Sequence, residues 1–148
     1  MKSIYLIFCF ISLLGFSQEK TDSGFWATDF EKAITISKKE KRPIVLYFTG
    51  SDWCKPCMLL KEDFFENEKL DAYKSSFVFL KIDIPRNADL LTENQKTENY
   101  KLLDSYNPGK VFPLVNILNH KGKVLDKASG YSSLRDPKYY FELLENNK

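Results

Sequence analysis

Apolar and polar positions along this chain alternate between a helical and a strand period. From Asp29 to Arg42, Phe30, Ala33, Ile34 and Ser37 share one helical face while lysines fill the rest. An amphipathic helix is expected there, capped by Asp29 or Thr28 and ended at Pro43. PIVLYFTG follows, a continuous apolar run rich in β-branched and aromatic residues and bounded by proline and glycine. It reads as a buried strand, parallel to a neighbour. Helical spacing returns in CMLLKEDFFENEKLDAY through Leu59, Leu60, Asp63, Phe64 and Leu70, and SFVFLKIDI, stopped by Pro85, reads as a second strand. Arg86 to Thr97 is polar, and TENYKLLDSYN (97–107) resumes a short helix. VFPLVNIL, NHKG and KVLDKASG read as strand, tight turn and strand, a β-hairpin. SLRDPKYYFELLENNK closes as a helix, with Asp136 as N-cap and Pro137 at the first helical position.

The order is therefore α-β-α-β-α-β-β-α. A helix joins the first two strands, so they are expected to be parallel with a right-handed crossover, and the last two form an antiparallel hairpin. This is an α/β fold whose central mixed sheet of about four strands is flanked by helices.

The N-terminal stretch has another pattern. MKSIYLIFCFISLLGFSQ carries one positive charge at Lys2, then an apolar run from Ile4 to Phe16 that closes on the small residues Gly15 and Ser17. Such a run suits the roughly 7–15 residues of a secretory h-region and is short of the roughly 20 that span a bilayer. Cys9 sits inside the run instead of just after it, which argues against a lipoprotein anchor. Residues 1–17 are expected to be a signal peptide, 18–24 a flexible lead-in and 25–148 a single domain, exported to a periplasm or secreted. Cleavage leaves about 131 residues, enough to bury a core without disulfides.

Charge narrows the partners. Without Lys2, 21 basic residues stand against 20 acidic ones. That balance argues against nucleic acid or a membrane surface as the main partner. Of three cysteines, Cys9 departs with the signal, leaving Cys54 and Cys57 in SDWCKPCMLL. A pair separated by two residues closes a tiny loop, which on the chain-entropy model stabilises least, so stapling is a poor reason for this spacing.

On the element map Cys54 falls where a buried strand meets the next helix. Unpaired N–H groups and the positive end of the helix dipole stabilise a thiolate there. Cysteines in such motifs have pKa values lowered from about 8.5 to roughly 3.5–7.5, which makes Cys54 a nucleophile at neutral pH. Cys57, one turn on, is placed to attack a mixed disulfide on Cys54. Lys55 adds a positive charge beside the thiolate, and Pro56 sits where the first turn needs no N–H donor.

WCKPC after an apolar strand, with VFP farther along, resembles the thioredoxin superfamily over roughly residues 25 to 146. PIVLYFTGSDWC is similar to exported thioredoxin-like proteins of the bacterial cell envelope. The resemblance implies a thiol–disulfide oxidoreductase in which Cys54 attacks and Cys57 resolves. It also implies a cis bond before Pro113, beside the disulfide, with the backbone around Phe112 open to pair with a client segment. Trp53 either shapes that substrate surface or covers the disulfide.

The resemblance implies protein thiols and disulfides as partners, a membrane thiol carrier as possible electron donor and no dissociable cofactor. A monomer is expected, no nucleic acid given the charge balance, and no metal, because two thiolates and one remote imidazole fall short of the four ligands zinc wants. The reducing direction leads; a disulfide-donating oxidant and a non-enzymatic binder of Cu(I) or of a client are the alternatives. This sequence departs from the family in two places. Tyr47 stands where the family has a buried Asp that helps move the resolving thiol's proton, and the companion Lys falls at about Phe79. Asp83 and Glu62 are candidate acids instead, and Asp52 is expected to be exposed. Residues 85–98 form a polar surplus, expected as a solvated excursion. His120, in the NHKG turn, is expected as an exposed turn residue.

Overall fold

The structure, a computed structural model, describes residues 24–27 and 29–148. Helix α1 (Phe30–Glu40) begins where the Asp29 side chain accepts the Lys32 N–H at 2.7 Å, and it ends at Lys41 in the left-handed region. The other proposed cap, Thr28, and the expected signal peptide lie outside the described residues. Strand β1 (Ile44–Thr49) is buried along its whole length. Its side chains alternate between two faces, so Val45 and Tyr47 join one core layer while Ile44, Leu46 and Phe48 join the other.

Strands β2 (Val78–Asp83), β3 (Leu114–Leu118) and β4 (Val124–Ser129) complete a four-stranded sheet in the order β2-β1-β3-β4. β1 and β2 are parallel and β3 and β4 antiparallel, as expected from the element order, and β3 also runs antiparallel to β1, a pairing the order left open. Helices α1 and α4 (Glu93–Tyr106) cover one face through Ala33 and Leu103. The other face is covered by α2 (Lys55–Leu60) and α5 (Lys138–Glu145), through Leu60, Tyr140, Leu143 and Leu144. Burying a large apolar side chain contributes roughly 1.5–3 kcal/mol, so these layers hold the sheet rigid beneath the cysteines.

Three local expectations need correction. The long helix expected after Cys57 is broken: α2 passes into a π-turn at Lys61–Phe65, and Asn67 is extended. The Asn67 amide donates to Asp63 O at 2.9 Å and its oxygen accepts the Lys69 N–H at 3.0 Å, local bonds that compete with a continuous helix. A separate helix α3 (Asp71–Lys74) follows. The helix expected at 97 begins at Glu93, inside the surplus 85–98, because Thr92 and Gln95 form a capping box. In α5 the cap is shifted by one residue. Pro137 occupies the N-cap, while the Asp136 carboxylate still accepts the Lys138 N–H at 2.9 Å.

Candidate active site

The turn between β1 and α2 is built from TGSDWC. Trp53 N–H and Cys54 N–H both point at Gly50 O. A side chain at Gly50 would meet the Trp53 indole at 2.3 Å, so only glycine lets that ring fold over the turn. The indole Nε1–H donates to Ile84 O at 2.8 Å. Its ring stands edge-on to Phe112, centroids 5.2 Å apart, and the Arg86 guanidinium lies 5.0 Å above it.

Cys54 occupies the N-cap of α2 in an extended conformation, and its sulfur accepts the Cys57 N–H at 3.3 Å. The two cysteines form a disulfide with S–S 2.03 Å, and both are almost fully buried. Pro56 lies in the first turn of α2 and Lys55 is exposed beside Cys54. This is the arrangement that lowers a thiol's pKa in the reduced state, because the first-turn N–H groups of a helix lack partners of their own.

The Phe112–Pro113 bond is cis. Pro113 is buried, and its carbonyl accepts the Gly130 N–H at 2.9 Å. Val111 is not open to a client along its backbone. The Asn107 side chain takes both its N–H (2.9 Å) and its C=O (2.8 Å). The Phe112 ring thus meets Trp53, the residue before Cys54, and Pro113 follows it across the cis bond.

The far side of the disulfide faces a different environment. Tyr47 is buried and its hydroxyl donates to Cys57 O at 3.2 Å. Burial pushes its pKa up to about 12, so it is a poor proton carrier near neutrality. The β1–β2 register sets Lys81 opposite Tyr47. Phe79, where the companion Lys was expected to fall, is a core ring, and the lysine across from Tyr47 is Lys81. Positions two apart in a strand share a face, so the sequence pattern did not resolve that offset. A cavity of about 410 Å³ lies here, lined by Trp26, Tyr47, Cys57, Met58, Glu62 and Lys81 among others. Of the two acids proposed from sequence, Glu62 reaches this cavity, with its carboxylate held by Arg135 at 2.8 Å. Asp83 does not line it; its oxygens accept the Ser51 N–H and hydroxyl.

Asp52 is exposed, as expected, but it has a role the sequence did not reveal. Its carboxylate accepts the N–H groups of Asn87 (2.8 Å) and Arg86 (3.0 Å), which hold its pKa below the ordinary carboxylate value. With Trp53 bound to Ile84 O, it fastens the start of the 85–98 surplus to the cysteine turn. His120 is exposed in its turn. Among the described residues no group of three or more His, Cys, Asp or Glu is placed to hold a metal.

Comparison with known proteins agrees with this geometry. A family model described as thioredoxin-like matches residues 25–119. The chain is 24% identical over 114 residues to the thioredoxin-related protein DsbJ of Chlamydia pneumoniae, covering 76% of this chain and 32% of that protein. It is 28% identical over 99 residues to the disulfide bond reductase DsbH of the same organism, covering 65% of this chain and 57% of that one. The chain therefore spans a third to just over half of these relatives. A solved DsbH oxidoreductase superposes with TM-score 0.69 at 22% identity, covering 90% of this chain and 93% of that chain.

Proposed function

This chain belongs to the thioredoxin-like family, and from that membership we propose that it exchanges disulfides with protein thiols through Cys54 and Cys57. The observation that carries the reading is a disulfide at the N-cap of α2, next to Trp53, whose ring packs edge-on to Phe112 before the cis Pro113. In the reduced protein the Cys54 thiolate attacks one sulfur of a client disulfide. A mixed disulfide forms and a client thiolate leaves. Cys57 loses its proton and attacks the Cys54 sulfur, which releases the second client thiolate and forms the Cys54–Cys57 bond. Two electrons have passed to the client, and a dithiol donor such as a membrane thiol carrier restores the protein. Lys55 favours the thiolate by its charge, and Pro56 spares a donor in the first turn. A client segment lies across Trp53, Phe112 and Pro113, pairing with the Phe112 backbone as an added strand.

The reducing direction follows the relative named as a disulfide bond reductase. Site of action is the cell envelope, reached by removal of residues 1–17. Replacing Cys54 with Ser abolishes insulin-disulfide reduction; full activity in that variant overturns the nucleophile. Direction is decided by equilibrating the pair against thiol buffers. A potential near about −270 mV supports a reductant, and one near about −120 mV makes the protein a disulfide donor.

A further inference from the structure

Three cations lie about the proposed client surface, and among the described residues none of them is held in a side-chain salt bridge, although the Asp52 carboxylate on the Arg86 N–H is close enough to feel the Arg86 charge. Lys55 adjoins Cys54, Arg86 lies over Trp53, and exposed Lys110 precedes Val111 and Phe112. Unpaired lysines occur elsewhere on the protein; these differ by bracketing an apolar rim of Trp53, Phe112 and Val111, the last 45% exposed. Two carboxylates are near, Asp52 and Asp83, and both direct their oxygens onto donors of the protein itself: Ser51, Arg86 N–H and Asn87 N–H. The 85–98 surplus places Arg86 there, because Asp52 and Trp53 fasten its first residues to the cysteine turn.

We infer that this rim selects client segments that carry acidic side chains close to the reacting cysteine. The inference rests on the exchange reaction proposed above and names the client chemistry it prefers. A segment paired with Phe112 as an added strand puts alternate side chains on one face, about 7 Å apart. Apolar positions then meet Trp53 and Val111, and carboxylates on either side of the cysteine come within reach of Lys110 and of Arg86 or Lys55. The same charges steer acidic segments into encounter, an effect that salt screens. The preference is thus greatest at low ionic strength.

Peptides with one cysteine flanked by glutamate or by lysine, each oxidised to its disulfide dimer, test this. The rate with the reduced full-length protein is divided by the rate with dithiothreitol on the same peptide, which removes the effect of flanking charge on the leaving thiol. The glutamate peptide is expected to react about tenfold faster after this correction, each exposed pair contributing a factor of roughly 1.5 to 5. The double variant Arg86→Gln/Lys110→Gln reduces the advantage to within about twofold, as does high salt. Arg86→Lys/Lys110→Arg keeps it, which separates charge from local structure. Equal corrected rates for the two peptides, or a preference that survives the glutamine variants, overturn the inference. Failure to react with either peptide overturns the exchange reaction itself.

Discussion

Replacing Gly50 with Ala tests whether one glycine sets the active-site surface. The new methyl would stand 2.3 Å from Trp53 Cε2 and 2.5 Å from Nε1, in contact with the ring itself instead of a flexible side-chain end. The turn is held by Cys54 N–H on Gly50 O at 2.8 Å, so the indole is the part that moves. Moving it breaks the bond to Ile84 O, a net contribution of about 0.5–1.5 kcal/mol. It separates the Phe112 ring, about 0.5–1.5 kcal/mol beyond area, and lifts the Arg86 guanidinium off its π face, about 0.5–1 kcal/mol at an exposed site. Gly50→Ala is therefore expected to destabilise the oxidised protein by about 2 kcal/mol, read as a lower urea midpoint with the slope unchanged. A double-mutant cycle with Trp53→Ala isolates the cause, since the cost should largely vanish once the indole is absent. Equal destabilisation in both backgrounds, or an unchanged midpoint in the single variant, would refute the argument.

Tyr47→Phe removes the bond to Cys57 O, which keeps the Lys61 N–H, and the bond with the Thr49 side chain, so the loss is about 1–3 kcal/mol. A urea midpoint equal to wild type would show that the hydroxyl contributes nothing. Asp52 has a folded pKa below its unfolded value, so its contribution to stability is present above the ordinary carboxylate pKa and is lost as pH falls through the depressed one. Asp52→Asn is thus expected to be less stable than wild type at neutral pH and to lose less stability on acidification. Parallel urea midpoints for the two proteins from neutral pH to below about 3 would contradict this sign.

The legible part of the site was local in the chain. Cys54, Cys57, Trp53, Lys55 and Pro56 are consecutive, and their positions follow from a strand ending and a helix beginning. Phe112 and Pro113 needed a resemblance to associate them with the cysteines, because more than fifty residues separate them in the chain. The capping box at Thr92 and Gln95 was present in the sequence as T-x-x-Q but was read as part of a polar run, because too few apolar residues marked the helix behind it. The break at Asn67 was hidden for the opposite reason: apolar spacing continues across it while the side-chain amide takes the local bonds.

By itself the sequence determined the α/β order, the parallel first pair of strands, the antiparallel hairpin, and a cysteine at a helix start. These depend on hydrophobic period and on bonds between near neighbours, which any window of the chain contains. The tertiary structure decided what lies across from what. Lys81 opposes Tyr47 through strand register, and Tyr47 reaches Cys57 O from beneath. Asp52 and Trp53 hold the 84–87 segment so that Arg86 comes to the rim. Such contacts join residues more than thirty positions apart, or a strand to the helix that crosses it. They are fixed only when the sheet forms and the layers pack, so no local pattern carries them.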